Sequence, residues 1–451
     1  MRKAREDLLD DIFGDDVRIA STTQRTQFEG TTSLLTVEPA NVQAMLATQF
    51  KDFELGAMRI NQFYPLLGSS IFTSDGRFWE HSRALFRPQF NRESLNDLEG
   101  TEDAVRDLID AISAGMDGFQ EVELLPLLQN FTLDTATSFL FGESVKSQRC
   151  SLDEADGLQG SKQFREDFEF VNKTLLNRIR LQSAYWLADG RRFRKAVARI
   201  RAFTEQFVEK ALNASQPGKV TSKKYNLLSA LATQCQDREE LQNQSLAVLL
   251  AGRDSTAALL GWAFTRLALH SEIFHDLRRA ILNDFNTQKS ITATALKSCR
   301  PLQHFFNEVL RLHPVVPINN RQAVRDTTLP RGGGPDETMP IAIKKGQVVT
   351  FSVYLMHRRV DLWGEDALSF RPERWAQRIP SWQFLPFSGG PRVCIGQQFA
   401  LIEASYILVR MLQQYDAIEP VDRTDMAALK KGLGLTMWPA DSVNVRMHRA
   451  R

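Results

Sequence analysis

The chain has 451 residues, of which 43% are hydrophobic and 24% are charged, an ordinary composition for a folded protein. Its 56 Lys and Arg residues against 54 Asp and Glu residues leave a formal net charge of only +2. Nothing in this balance calls for nucleic acid and the sequence has no stripe of aromatic and basic residues, so we expect no nucleic-acid partner. The most apolar stretch is interrupted by Arg253 and Asp254, so it falls short of the ~18 apolar residues that cross a bilayer.

Four helices are predicted in chain order from apolar periodicity, at Glu239–His270, Ser271–Phe285, Leu302–His313 and Gln397–Gln413. The first is apolar on most faces at its centre, as expected of a buried helix. Strands are predicted at Thr327–Leu329, Pro340–Ile343 and Gln347–Tyr354. Loop-rich stretches are predicted at Gln216–Lys224, Asp326–Pro340 and Pro380–Gly396. We therefore predict a single domain over 1–451, mainly α with a small β-sheet region.

The four cysteines, Cys150, Cys235, Cys299 and Cys394, lie far apart and form no CxxC pair. This spacing disfavours a zinc site and a dithiol redox site. A disulfide scaffold would need a shorter chain with denser cysteines. We expect reduced thiols, three of them acting as small buried hydrophobic residues.

The most informative segment is FLPFSGGPRVCIG at 384–396. Its glycines and prolines disfavour both helix and central strand, so we expect a rigid, tight loop. Cys394 then lies where the helix near Gln397 begins, and the N–H groups and positive charge of a helix N-terminus favour a thiolate. A lone cysteine ligand with the aromatic Phe387 and the cation Arg392 nearby suits a haem, which carries two carboxylates. The alternative is a buried cysteine in a glycine-rich turn, which is common for single cysteines.

The same loop matches, in order, the haem-binding signature of the cytochrome P450 family at Phe387, Gly390, Arg392, Cys394 and Gly396. Five fixed positions in a ten-residue window are a strong signal. The chain is identified as a member of this family. The resemblance implies the cytochrome P450 fold with a long central oxygen-binding helix, haem b as cofactor, and Cys394 as the axial thiolate ligand of the iron.

Upstream of the loop, Glu308 and Arg311 share one helix face and can form a charge-assisted pair. Alone this is a weak signal, because surface pairs with this spacing are common and contribute little. The pair fits the family's Glu-x-x-Arg motif, and RPERW at 371–375 resembles the segment whose arginine joins it. The resemblance implies structural roles for Glu308, Arg311 and Arg374, with Trp375 standing where phenylalanine is more usual.

The segment AGRDST at 251–256 lies in the middle of the long helix. The Thr256 hydroxyl is placed to bond to the carbonyl of Gly252 and bend the helix, and a helix-packing glycine with such a threonine explains both residues without catalysis. Asp254 in a largely apolar helix requires a partner or a role. The segment also resembles the family's oxygen-binding groove, which implies that Thr256 donates a hydrogen bond to dioxygen at the haem and that Asp254 relays protons from solvent.

Nearer the N-terminus, DGRFWEHSR at 75–83 resembles the family's Trp-x-x-x-Arg helix. Trp79 and Arg83 lie one turn apart on one helix face, and both can donate to a haem propionate. By analogy, Arg321 and Arg392 complete the propionate-binding set. The alternative for each arginine is an ordinary surface position.

Further segments, including DTTLPRGGGPD at 326–336 and VYLMHRR at 353–359, resemble fungal microsomal enzymes that hydroxylate alkanes and fatty acids. The resemblance implies a monooxygenase with a long-chain alkane or fatty acid as substrate, O2 as co-substrate and a separate NADPH–cytochrome reductase as electron donor. The apolar residues predicted to bind the substrate are Ile71, Phe72, Ala247, Leu250, Ala251, Val315, Val316, Ile318 and Leu435. The alternative is that any buried segment of this fold is equally apolar.

Two other functions stay open. One is a haem-thiolate isomerase or peroxygenase of the same fold, which would not need Thr256 and Asp254 as a pair. The other is a non-catalytic haem-binding module. Family members normally begin with a membrane anchor, and this chain starts about where those anchors end. We therefore expect the cytosolic face of the endoplasmic reticulum membrane if an anchor was removed, contact of the full-length protein with the membrane surface, and a soluble chain as given.

Overall fold

The computed structural model describes residues 21–28, 31–90, 98–113, 120–149, 160–215, 225–285, 291–427, 429–440 and 443–450. The helices are α1 Pro39–Gln43, α2 Ala57–Leu67, α3 Gly76–Phe86, α4 Glu99–Ser113, α5 Leu124–Phe141, α6 Ser161–Arg180, α7 Arg191–Ala214, α8 Leu227–Ala232, α9 Arg238–Leu269, α10 Ser271–Asp284, α11 Ala293–Ser298, α12 Arg300–Leu312, α13 Val353–Met356, α14 Val360–Trp363, α15 Gln397–Gln414 and α16 Arg423–Ala427. The strands are β1 Thr23–Phe28, β2 Thr31–Thr36, β3 Phe53–Glu54, β4 Gln120–Glu123, β5 Ile318–Ala323, β6 Thr327–Gly333, β7 Met339–Ile343, β8 Val348–Ser352, β9 Tyr415–Pro420, β10 Lys431–Leu433, β11 Met437–Pro439 and β12 Asn444–Arg449. The predicted mainly α class with small sheets is confirmed.

The four predicted helices are confirmed as α9, α10, α12 and α15. Helix α9 begins where the Asp237 side chain accepts a hydrogen bond from the Glu240 N–H, which satisfies one of the unpaired donors of the first turn. Helix α5 ends at Gly142, whose φ of 79° is the left-handed conformation that favours glycine. Within the described residues, no helix combines the length and apolarity needed to span a membrane.

The predicted strands are found as β6, β7 and β8, with two corrections. The strand predicted at Gln347–Tyr354 ends at Ser352, because the Ser352 hydroxyl accepts from the Leu355 N–H and caps helix α13. The stretch Asp326–Pro340, predicted to be loop-rich, instead contains the antiparallel hairpin β6–β7. The loop predicted at Gln216–Lys224 lies outside the described residues.

The chain divides by its contacts into two units. Unit 1 holds the described residues of Met1–Gly56, Ser298–Gln397 and Ala427–Asp441. Its five-stranded sheet has the order β1-β2-β8-β5-β3, in which β2 and β8 are parallel and the other neighbours are antiparallel. The sheet packs on a buried apolar core that includes Val42, Met45, Val349 and Phe351.

Unit 2 holds the described residues of Ala57–Lys297, Gln398–Met426 and Ser442–Arg451. It is mostly helical, with the antiparallel sheet β4-β12-β9, and the long helix α9 packs along α5. Gly252 of α9 faces α5, since a Cβ atom there would contact the Ala136 Cβ at 3.5 Å. The division into units does not test the prediction of a single domain, which stays a prediction.

Candidate active site

Cys394 lies in a tight loop of unit 1, between the 3₁₀ turn Gly390–Arg392 and the start of α15, and it is exposed. The loop folds back on itself, because the Cys394 N–H donates to the Phe387 carbonyl at 3.0 Å. Gly390 has a φ of 67°, and a Cβ atom there would overlap the carbonyl oxygen of Leu46. Only glycine fits this position. The tight loop predicted from the sequence is present.

The other described cysteines differ from Cys394 in their burial. Cys235 and Cys299 are buried, as predicted, and Cys150 lies outside the described residues. The described part of the chain contains no cluster of three or more His, Cys, Asp or Glu side chains that could hold a metal ion. A lone exposed thiol in a rigid loop fits the single protein ligand of a haem iron, and it does not fit a zinc site.

Glu308 lies at the centre of a largely buried cluster of polar side chains in unit 1. Arg311 donates from Nε to its Oε2 at 2.9 Å and from Nη2 to its Oε1 at 2.8 Å, and both side chains are 0% exposed. Arg374 adds a charge, with its Nε 3.6 Å from Oε1. The indole N–H of Trp375 donates to Oε2 at 3.0 Å. The structure thus brings together the three residues predicted to be structural, and it gives Trp375 a hydrogen bond that phenylalanine would lack.

Asp254 has the partners that the sequence led us to expect for a carboxylate in an apolar helix. Its Oδ1 accepts from Nη1 of the buried Arg253 at 3.0 Å, and its Oδ2 accepts from Nδ2 of Asn172 on α6 at 3.2 Å. The Asp254 side chain keeps 21% exposure, against 6% for that of Arg253. The carboxylate is therefore held in place while still reaching solvent.

The Thr256 hydroxyl is buried and hydrogen-bonds to the carboxyl group of Glu403 on α15, which also accepts from Thr135 on α5. The predicted hydrogen bond from Thr256 to the Gly252 carbonyl stays a prediction. Burial raises the pKa of Glu403 to about 7, although the hydrogen bonds from the two threonines act to lower it. The Oε1 atom of Glu403 is buried and has no hydrogen-bond partner among the described residues.

Sequence reasoning missed Glu403. The available signal was a carboxylate within the apolar helix that follows Cys394, a position where an unpaired charge is costly.

Comparison with known proteins decides the family. A family model described as Cytochrome P450 matches residues 23–441, which include all the segments described above. The chain belongs to the cytochrome P450 family. It is 44% identical over 442 residues to cytochrome P450 monooxygenase g430 of Fusarium sp, covering 94% of this chain and 76% of the relative. It is 41% identical over 425 residues to cytochrome P450 52A5 of Candida maltosa, covering 92% and 80%.

A solved structure agrees on the fold. The crystal structure of the cytochrome P450DA heme domain superimposes with a TM-score of 0.79 at 20% identity, over 95% of this chain and 90% of that one. The predicted family and fold are confirmed, and this cytochrome P450 is an oxidoreductase of the monooxygenase class.

The residues of the cytochrome P450 predicted to bind propionates fall in both units. Trp79 and Arg83 lie one turn apart on α3 of unit 2, and Trp79 is buried. Arg321 and Arg392 belong to unit 1. Arg321 is buried on β5, where its Nη1 donates to the Asn320 carbonyl at 2.6 Å. Propionate binding by these residues stays a prediction.

In unit 2, the substrate-binding residues predicted for the cytochrome P450 meet at α9. The Ile71 N–H donates to Oε1 of Gln244 at 3.1 Å, which holds the loop of Ile71 and Phe72 against the helix one turn before Ala247. Phe72 is 40% exposed, and Ala251 is exposed although it lies in the middle of α9. Apolar surface is therefore exposed along this part of α9.

In unit 1, the predicted substrate-binding residues also lie close together. The Met437 N–H donates to the Val315 carbonyl at 2.9 Å, which places the β10–β11 turn, with Leu435, beside the segment that follows α12. Val316 is 40% exposed and Ile318 is half-buried. Substrate contact by either group stays a prediction.

Proposed function

We propose that this cytochrome P450 binds haem b through the Cys394 thiolate and inserts one atom of O2 into a C–H bond of a long-chain alkane or fatty acid. The observation that carries the proposal is the exposed Cys394 thiol in a loop closed by its own backbone hydrogen bond. The thiolate-ligated haem supplies dioxygen activation when bound. The other residues proposed to bind the haem are Phe387, Arg392, Gly396 and Arg321 of unit 1 and Trp79 and Arg83 of unit 2.

The electrons come, in this proposal, from a separate NADPH–cytochrome reductase. Two electrons and two protons convert the second oxygen atom of O2 to water, while the first atom enters the substrate C–H bond as a hydroxyl group.

Three side chains of unit 2 are proposed to handle the protons. Asp254 exchanges protons with solvent through its exposed edge, while Arg253 and Asn172 keep it oriented. Thr256 has a single hydroxyl proton, which it donates to Glu403 when that carboxyl is ionised. A protonated Glu403 donates to the Thr256 oxygen instead, and the threonine proton then becomes available to the oxygen substrate. Since the pKa of Glu403 is about 7, both forms are populated near neutral pH.

Replacing Thr256 with alanine tests this role. The variant is expected to keep haem and substrate binding, because the change leaves no large cavity. Product formed per NADPH is expected to fall about tenfold, the cost of one lost hydrogen bond to a developing charge, with the balance appearing as hydrogen peroxide. The measurement is NADPH, product and peroxide in a reductase-supported assay.

Ser255→Ala is the matched control for Thr256→Ala, because the neighbouring hydroxyl bonds to the Ala251 carbonyl of its own helix. Coupling should be normal in this control. Unchanged coupling in Thr256→Ala would refute the role, and turnover independent of NADPH would favour the isomerase or peroxygenase alternative.

A long aliphatic substrate is supported by the apolar character of the residues predicted to bind it. Each buried methylene contributes about 0.8 kcal/mol, so affinity is expected to rise roughly fourfold per methylene until the pocket is full. Fatty acids from decanoate to octadecanoate would be titrated while the ferric Soret band is followed. A flat response with length, beside a strong response to a bulky ring compound, would overturn the substrate class and leave the monooxygenase assignment intact.

We further propose that the enzyme works at the cytosolic surface of the endoplasmic reticulum membrane. Between α6 and α7, the segment Gln182–Ala188 carries Trp186 and Leu187, which are 61% and 62% exposed. The exposed cations Arg191 and Arg192 follow after Asp189 and Gly190. Exposed apolar side chains beside arginines are typical of surfaces that bind anionic lipid interfaces.

Binding to vesicles tests this surface. The protein is expected to bind vesicles of phosphatidylcholine with phosphatidylserine, and the double variant Trp186→Ser, Leu187→Ser to bind about tenfold or more weakly, through lost apolar burial. Met339→Ser is the control, since Met339 is 58% exposed but belongs to unit 1. Equal binding by the wild-type protein and the double variant would argue against the surface.

A further inference from the structure

His357 connects two parts of unit 1 that are distant in sequence. It lies directly after α13 and is 0% exposed. Its Nε2 atom accepts a hydrogen bond from the N–H of Leu385 at 2.9 Å. Leu385 is the second residue of the loop at 384–396 that carries Cys394. Because Nε2 acts as the acceptor, the proton of the neutral imidazole resides on Nδ1.

The same residue also contacts the buried cluster around Glu308. Nη1 of Arg311 donates to the His357 carbonyl at 2.9 Å. The guanidinium that pairs with Glu308 therefore fixes the backbone of His357, and the His357 ring fixes the backbone of the cysteine loop.

Aromatic packing reinforces this connection. The Phe384 ring lies 5.2 Å from the His357 ring and 4.4 Å from the Trp375 ring, measured between centroids. Trp375 in turn donates to Glu308. Phe384 and Leu385, the first two residues of the loop, are thus connected to the Glu308 cluster in two ways. One connection runs through His357 and the other through Trp375.

We propose that His357 is a positioning residue. Its hydrogen bond to the Leu385 N–H holds the loop of Cys394 in a fixed position relative to the Glu308–Arg311 cluster. The inference rests on the proposed role of Cys394 as the haem ligand. The hydrogen bond sets the start of the loop, and a buried backbone N–H that loses its acceptor costs about 1–3 kcal/mol. A loop without this bond samples other arrangements and holds the thiolate less firmly.

The Nε2 atom of His357 can accept this hydrogen bond throughout the neutral pH range. Burial, with the nearby Arg311 and Arg358 guanidinium groups, lowers the pKa of His357 to about 3. The imidazole is therefore neutral between about pH 5 and 8.

Amide hydrogen exchange of the haem-loaded protein tests the hydrogen bond itself. His357→Leu keeps an apolar side chain of similar size and removes the acceptor, so exchange at the Leu385 amide should become at least tenfold faster. His357→Gln retains an oxygen acceptor and should restore slow exchange. His313→Leu is the control, because His313 is an equally buried histidine of unit 1.

The reduced, carbon monoxide-bound protein gives a second readout. At equal haem content, His357→Leu should lose a substantial fraction of the Soret band of a thiolate-ligated haem, and His357→Gln should recover it. If His357→Leu does not fold, His357→Met takes its place. In the wild-type protein the Leu385 amide must itself exchange slowly.

Fast exchange at Leu385 in the wild-type protein would overturn the proposal. Unchanged exchange and spectrum in His357→Leu, or equal losses in His313→Leu, would do the same. Absence of the thiolate band from every variant, the wild type included, would refute the proposed function, and the exchange result would still decide the role of His357.

Discussion

Replacing Arg311 with leucine is expected to lower the free energy of unfolding by about 3–5 kcal/mol, because the buried Glu308 carboxylate loses its bidentate partner and keeps only the more distant charge of Arg374 at 3.6 Å. The wild-type pair is bidentate and 0% exposed. The same guanidinium also donates to the carbonyls of His357 and Ser369, so the variant leaves these acceptors without that donor. Since folded proteins are stable by only about 5–15 kcal/mol, this loss is a large fraction of the total stability. Urea unfolding followed by circular dichroism, together with haem incorporation, measures the effect.

Two further variants give unfolding free energies with which that of Arg311→Leu can be compared. Trp375→Phe removes one neutral donor to Glu308 and should cost about 1–2 kcal/mol. Arg279→Leu breaks a pair with Asp276 that has the same three-residue spacing, but both of its side chains are more than 70% exposed, so no measurable change is expected. If Arg311→Leu were as mild as Arg279→Leu, the buried cluster would have no structural role.

The long helices could be predicted because their signals are local. The apolar period and the Asp237 cap define α9, and proline and glycine delimit the elements around it. Strands such as β1 and β12 could not be predicted, because polar side chains are frequent in them and their partners are distant in sequence. The glycines at 332–334 favour a loop, although the structure has the end of strand β6 there. A Cβ atom on Gly333 would overlap the Pro340 carbonyl oxygen, so this glycine allows close strand pairing instead.

In the site too, features set by neighbouring residues could be predicted, and contacts between residues distant in sequence could not. The cysteine loop could be predicted because its glycines, prolines and thiol lie within thirteen consecutive residues, 384–396. The interaction of Glu403 with Thr135 and Thr256 could not, since those residues come from three different helices. The hydrogen bond from Leu385 to His357 likewise joins residues whose proximity only the folded chain reveals.

The ligation of haem by Cys394 is the central claim, and carbon monoxide binding to the reduced protein tests it most directly. The wild-type protein should show the red-shifted Soret band of a thiolate-ligated haem, because only a thiolate pushes this much electron density onto the iron. Cys394→His should lose the band and monooxygenase turnover, even where it retains haem. Cys235→Ser and Cys299→Ser replace thiols that are buried and distant in sequence from the loop, and they should keep the band. Absence of the band from the wild-type protein, or its survival in Cys394→His, would contradict the assignment.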